Sequence, residues 1–389
     1  MSGGTPARVL RGPLRAGLVA AAVLAIATAV GAVLAPSAFF NAWLMAWLLW
    51  LGVALGGLAI LCVHHLVHGR WGRSVRPLLE AVARTTPLLA VAFVPLALGL
   101  AHVYPWTDDA FMASDPLRVH KAAYLAATPF LLRSAAALVL WSVLAWLLTR
   151  DPSRLRPGLA AATLIAYFLG ITTGGVDWVL SLEPSMSTSA FGLALATGHG
   201  AAGLAFVLVL AAWLGRRARP PVEADRAHDL GNVLLAAVML WAYIAFTQML
   251  LVWAADIPRQ SGWYLERSEG LWNGVSWALI ALHFAAPFLL LLFRVVKRRP
   301  ARLAGVAALV LVLHAVEVAW FVLPSRGRWA GGPAPGFTWL DAVAPLALGA
   351  VFVTAVLASL RRAPELLPRT VVAAELDAAS LPGPEVTRG

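Results

Sequence analysis

The chain is poor in cysteine and in charged residues. Cys62 is its one cysteine among 389 residues, and 13% of the residues are charged, against about 25% in soluble domains. A single thiol excludes a disulfide framework, an iron–sulfur cluster held by four thiolates and a haem attached through a CxxCH motif. Any electron carrier is therefore a non-covalent ligand or belongs to a partner.

Apolar residues take the place of the missing charge. They make up 60% of the chain, and the mean hydropathy is +0.79. A chain this apolar cannot bury its surface in one aqueous core, so we expect the bilayer to be its solvent. The net charge of +11 suggests nucleic-acid binding, but the basic residues lie in short clusters between apolar spans. This pattern is typical of membrane topology, so we expect membrane lipids and not nucleic acid as partners.

The apolar stretches predict an all-α, polytopic membrane protein with ten transmembrane helices. The predicted spans are 14–36, 40–66, 86–104, 124–148, 157–182, 187–214, 229–255, 271–294, 301–323 and 338–360. The first span follows basic residues, as a signal peptide does, but its length of about 23 residues and the Ala35-Pro36 pair favour a retained helix. The membrane domain is predicted over 1–363, followed by a disordered cytoplasmic tail over 364–389 that has few aromatic residues.

The distribution of Lys and Arg predicts the orientation. Of the 30 basic residues, 23 lie on one side if the N-terminus is cytoplasmic, and 6 lie in the loops on the other side. Arg133 lies within a span. This asymmetry predicts that both termini are cytoplasmic, in a multi-pass protein of the bacterial inner membrane.

A few polar and ionisable residues interrupt the spans. A charged group at mid-bilayer costs roughly 2.5–3.5 kcal/mol on insertion scales, so each one needs a purpose. We interpret them as a proton path, in which Arg133 holds the Asp177 carboxylate ionised. The predicted path residues are Asp177, His199, Tyr243, Gln248, His283, Glu317 and Arg133.

Two alternatives remain at this stage. The ionisable residues could pair only to fasten helices, and an Arg133–Asp177 pair is plausible because both lie in the same half of adjacent spans. His199 and His283 are central in their spans and could ligate a b-type haem. We expect neither a catalytic residue nor a metal site in this chain.

Three stretches resemble a known family. The first is Asp177-Trp-Val-Leu-Ser-Leu-Glu-Pro184, followed by Ser187-Thr188 and Phe191-Gly192. The second runs from Asp229-Leu-Gly231 through Trp241-Ala-Tyr243 and Gln248 to Trp253. The third is Trp263-Tyr264, Arg267, Gly270 and Trp272, then His283-Phe284, Pro287-Phe288, Arg294 and Lys297. In this order they resemble the F subunit of bacterial alternative complex III, within the polysulfide-reductase membrane-anchor superfamily. The chain departs from that pattern at Ser185-Met186, Asn232 and 256–260.

The resemblance implies a membrane subunit of a quinol:electron acceptor oxidoreductase. It implies ten helices, eight of them in two four-helix bundles and two peripheral. Its implied partners are a sister membrane subunit that oxidises the quinol, and multihaem cytochrome c and iron–sulfur subunits that carry the electrons. This subunit would contribute a proton pathway and a quinone or menaquinone site. The rival function is a secondary transporter of a small ion or metabolite, for which helices broken at corresponding places in two halves are expected.

Overall fold

The part of the chain that the structure describes forms a bundle of ten long apolar helices, which confirms the predicted all-α membrane fold. The computed structural model describes residues 10–114, 116–151, 154–186, 188, 190–215, 223–326 and 336–362. The predicted tail over 364–389 lies outside these residues. The spanning helices are α1 (Arg11–Leu34), α2 (Pro36–Val67), α3 (Arg70–Leu98), α4 (Ala127–Thr149), α5 (Pro157–Leu182), α6 (Phe191–Gly215), α7 (Ala224–Ala255), α8 (Gly270–Leu292), α9 (Pro300–Ser325) and α10 (Leu340–Arg361).

The helices form two four-helix bundles. The first contains α2, α3, α4 and α5, and the second contains α6, α7, α8 and α9, with sequential neighbours in contact around each bundle. Helices α1 and α10 are peripheral and pack against each other and against α2. The two-bundle architecture with two peripheral helices is therefore confirmed.

A seam of small residues between α2 and α6 joins the two bundles. A Cβ atom added at Gly56 would overlap the carbonyl oxygen of His199, and one added at Gly203 would overlap the backbone nitrogen of Gly57. Only glycine permits this approach, and close approach of backbones is what drives helix association in a bilayer. Accordingly, α2 and α6 are the two most buried spans.

The third predicted span was placed too late in the sequence. The structure begins α3 at Arg70, whereas the prediction began it at 86 and assigned the preceding residues to a loop. The segment 70–83 is amphipathic, and it is helical because Leu78 and Leu79 are buried against neighbouring helices. The basic residues of this segment lie in the first part of α3 and not in a separate loop. The longer helix still counts as one span, so the number of spans is unchanged.

The connections define two ends of the bundle. Arg84 donates to the carbonyl of Thr149, and the backbone N–H of Arg156 donates to Nδ1 of His65, so these residues meet at one end, here called the basic end. Arg326 and Asp341 pair at the other, here called the opposite end, where α9 finishes and α10 begins.

Two spans contain a π-helical turn. In α5 it covers Gly175–Val179, and in α8 it covers Leu279–Ala285. The turn in α8 precedes Pro287, which has no N–H to donate and whose ring displaces the carbonyl four residues earlier. Such turns often lie at functional sites. These two contain Asp177 and His283.

Candidate functional site

A cluster of buried polar side chains lies between five helices. Its members, here called the central cluster, are Tyr167 of α5, His199 of α6, Trp241 of α7, His283 of α8, and His314 and Glu317 of α9. None of these residues is more than 7% exposed. Three imidazoles and a carboxylate therefore share one water-poor region near the middle of the bundle.

Glu317 is the hydrogen-bond acceptor at the centre of the cluster. Its Oε1 accepts from the indole Nε1 of Trp241 at 2.7 Å, and its Oε2 lies 2.9 Å from Nδ1 of His314. His314 lies three residues before Glu317, so both side chains are on the same face of α9. The indole can only donate, so the carboxylate must accept from it, and Nδ1 of His314 is the protonated nitrogen when Glu317 is ionised.

The seam between the bundles positions His199. Its Nδ1 lies 3.1 Å from the hydroxyl of Tyr167. A Cβ atom added at Gly52 would lie 2.6 Å from the imidazole, so the ring fits only because α2 has glycine there. The first bundle therefore shapes one side of the site through α2 and α5, and the second bundle supplies the rest.

His314 connects the other two imidazoles. Its ring centroid lies 6.0 Å from that of His199 and 6.4 Å from that of His283. Two rings at these separations are too far apart for a direct N–H···N bond. A bridging water or a ring rotation would complete a proton transfer between them, because Nε2 of His314 and Nδ1 of His283 have no hydrogen-bond partner among the described residues.

The same packing argues against a haem between His199 and His283. Trp241 lies against His283 with ring centroids 4.2 Å apart, and His314 lies beside both imidazoles. Two axial ligands need an open slot between them for the porphyrin. Aromatic rings and Glu317 fill this region, so the residues present do not fit that group.

Asp177 and Arg133 form a separate ion pair nearer the opposite end. Arg133 donates from Nε and Nη2 to the two carboxylate oxygens at 2.8 and 2.9 Å, and its guanidinium lies 3.8 Å from the ring centroid of Tyr124. The carboxylate is buried, whereas the arginine side chain is 25% exposed. Burial, and then the charge of Asp177, raise the pKa of Tyr124 to about 12.

A buried arginine joins the first and third of the stretches that carry the resemblance, at the opposite end of the bundle. Arg267 donates to the carbonyls of Trp263, Trp320 and Phe321, and its Nη1 lies 3.4 Å from Oε1 of Glu183. Burial lowers the pKa of Arg267 to about 10, and the charge of Glu183 opposes that shift. The guanidinium thus holds the loop after α7 against the ends of α5 and α9.

The remaining predicted path residues lie apart from the central cluster. Gln248 accepts from the hydroxyl of Thr188 at 2.9 Å, two helical turns along α7 from Trp241. Tyr243 is 65% exposed and lies on the outer face of α7. The structure therefore brings together His199, His283 and Glu317, pairs Asp177 with Arg133, and places Gln248 and Tyr243 elsewhere.

The proton path predicted from the sequence does not include several polar groups that the structure shows to be buried. Tyr167 and His314 belong to the central cluster, and the ionisable side chain of His314, three residues from Glu317, was the available signal. Glu80 is 1% exposed and accepts from Arg76 at 2.7 Å. It was missed because this part of α3 was assigned to a loop.

A cavity of about 510 Å³ opens beside the Asp177–Arg133 pair. Its lining residues include His120, Lys121, Tyr124, Ser181 and Thr188. The cavity combines aromatic, hydroxyl and aliphatic surfaces, and it lies where α5 finishes at the opposite end of the bundle.

Among the described residues, no group of three or more His, Cys, Asp or Glu side chains is arranged to hold a metal ion.

Comparison with known proteins does not assign the chain to a family. No model of a protein family matches the chain, and no curated protein matches it either. The geometry establishes a multi-pass membrane protein with a buried, protonatable cluster at its centre.

Proposed function

We propose that this protein is a proton-relaying membrane subunit of a quinol:electron acceptor oxidoreductase similar to alternative complex III. The central cluster is the observation that carries the proposal. Four ionisable groups from α6, α8 and α9 are buried within reach of one another. Burying them is costly, and a proton relay is a function that needs them where they are.

The positions of the three resemblance stretches support the quinol oxidoreductase part of the proposal. Glu183 of the first stretch faces Arg267 of the third, and Thr188 of the first donates to Gln248 of the second. Trp241 of the second packs against His283 of the third. Residues of the three stretches are far apart in the sequence but contact one another in the structure. This is expected if the three stretches serve one function.

In this proposal Glu317 and His314 hold the proton in transit. The Glu317 carboxylate, oriented by the Trp241 indole, accepts it, and rotation of the His314 ring presents it to His199 or His283. Tyr167 orients His199 through their 3.1 Å contact. Electron transfer belongs to a sister membrane subunit and to multihaem cytochrome c and iron–sulfur subunits. The chain then lies in the bacterial inner membrane with both termini in the cytoplasm.

The quinone or menaquinone implied by the resemblance fits best in the cavity beside Asp177. The ring of Tyr124 offers a stacking face, and His120 offers a ring nitrogen to one oxygen of the ligand. The hydroxyl of Ser181 donates to the carbonyl of Asp177, so its oxygen can accept a hydrogen bond from a quinol hydroxyl. A bound quinol would release two electrons and two protons when it is oxidised to the quinone, and the electrons would pass to the partner subunits. The residues around it would orient the ring and limit water access.

The rival function is secondary transport, and the interruptions of the helices bear on it. Transporters of that kind bind substrate where unwound helices expose backbone groups. The interruptions in α5 and α8 are π-helical turns. The turn in α8 leads into a further α-helical segment, and the turn in α5 is followed by a 3₁₀ turn at the end of the span. They also lie in the fourth helix of the first bundle and the third helix of the second, so their positions do not correspond.

The test is purification of the tagged chain from its native membrane under mild detergent. We expect co-purifying proteins with c-type haem absorption bands and quinol:acceptor turnover in the purified fraction. A chain that purifies without haem proteins and without quinol turnover, yet moves a solute in vesicles, would overturn the proposal. Deleting the chain's gene and measuring the same turnover in the membranes is the matched control.

A further inference from the structure

The turn between α8 and α9 concentrates positive charge without matching carboxylates. Arg294, Lys297, Arg299 and Arg302 fall within nine residues, and none of them makes an ion pair with a described residue. Arg298 lies in the same turn but is neutralised by Asp225, 3.0 Å away. The connection is too short to separate the four uncompensated charges, so they lie together at the basic end.

Lys297 distinguishes this turn from an ordinary basic loop. The residue is only 6% exposed, and its stem lies directly against Gly231 of α7, where an added Cβ would come within 2.6 Å of Cγ. The ammonium group reaches Asn232 and donates to its Oδ1 at 2.7 Å. It has two further N–H donors, and its partner among the described residues is neutral. A buried ammonium that lacks a carboxylate is suited to binding an anion.

Exposed apolar side chains lie beside these charges in the sequence, at the end of α8 and in the residues that follow it. Leu289, Leu292, Phe293 and Val295 are each more than half exposed. The helix is interrupted at Phe293, where the backbone is extended, before the short helix Arg294–Lys297. Exposed apolar residues at the end of a span followed at once by cations match the level where acyl chains meet phosphates.

We propose that this turn is a binding site for an anionic phospholipid of the membrane. Lys297 and Arg294 would bind the headgroup phosphate, with Arg299 and Arg302 at the start of α9 adding charge. Phe293 and its apolar neighbours would contact the acyl chains. A soluble phosphate would gain the same charge contacts but none of these apolar contacts, so the geometry favours a lipid. The proposal is independent of the proposed oxidoreductase function.

The experiment measures thermal unfolding of the purified protein, with the partners that accompany it, in a neutral detergent. Cardiolipin, phosphatidylglycerol, phosphatidylcholine and inorganic phosphate are each titrated. The test variant is Arg294→Gln with Arg299→Gln. The control is Arg70→Gln with Arg73→Gln, which removes two exposed arginines at the same end from α3.

We expect the two anionic lipids to raise the unfolding temperature at lower concentrations than phosphatidylcholine. The test variant should need at least about tenfold more anionic lipid for half the effect, because it loses two cations near the headgroup, and the control should not. Equal losses in both variants would show general surface attraction and overturn the proposal. An equal response to inorganic phosphate would overturn the assignment to a lipid.

Discussion

Replacing Glu317 by Gln tests the central cluster, because the change removes the charge and keeps the shape. The amide oxygen of Gln can accept from the Trp241 indole as Oε1 does now, at 2.7 Å. The amide nitrogen can donate to Nδ1 of His314 once that ring carries its proton on Nε2, which has no partner among the described residues. The variant should therefore lose only the difference between charged and neutral hydrogen bonds, about 1 kcal/mol for each bond.

Glu317→Leu gives the structural comparison. Leucine leaves the buried indole N–H of Trp241 and the Nδ1 of His314 unsatisfied, at about 1–3 kcal/mol each. The expected loss of about 2–6 kcal/mol is a large part of a typical folding free energy of about 5–15 kcal/mol. We therefore expect the leucine variant to unfold at a clearly lower temperature than the glutamine variant.

The assay combines the unfolding temperature with quinol turnover and proton release in reconstituted vesicles. We expect Glu317→Gln to unfold near the wild-type temperature while proton release slows by about a hundredfold or more, as for the loss of a positioned proton-transfer group. Glu269→Gln removes an exposed carboxylate and should change neither quantity. A glutamine variant with normal stability, turnover and proton release would refute the relay.

The remaining predictions concern the ion pair, the seam between the bundles and the orientation. Asp177→Asn breaks the bidentate pair and should lower the free energy of unfolding by about 2–3 kcal/mol. This is less than for a fully buried pair, because the side chain of Arg133 is 25% exposed. An unchanged unfolding temperature would contradict this prediction. Gly56→Ala should lower yield and unfolding temperature, because its Cβ would overlap the carbonyl oxygen of His199, whereas Gly274→Ala, with open space around it, should not. A reporter fused after Gly389 should report the cytoplasm and one inserted near Ser114 the periplasm; the same answer from both would contradict the predicted orientation.

Much of the candidate site was accessible from the sequence, since polar residues are rare in these spans. Asp177, His199, His283 and Glu317 stand out against long apolar runs because each is expensive to place in hydrocarbon. The sequence alone left their pairing open. Nothing in it decides that Arg133 reaches Asp177, or that Tyr243 faces outward while His314 faces the cluster. These spans are apolar on nearly every side, so their residue pattern gives little information on how each helix is rotated.

The sequence by itself determined the number of spans, their type and the end at which positive charge collects. Hydropathy and charge distribution act along the chain, and a bilayer forces every apolar span of sufficient length to be a helix. The tertiary structure decided which helices face one another. Helix association in a bilayer depends on close packing between surfaces, such as Gly56 of α2 against His199 of α6. That contact is between residues about 140 positions apart in the sequence, and it brings the two bundles together around the central cluster.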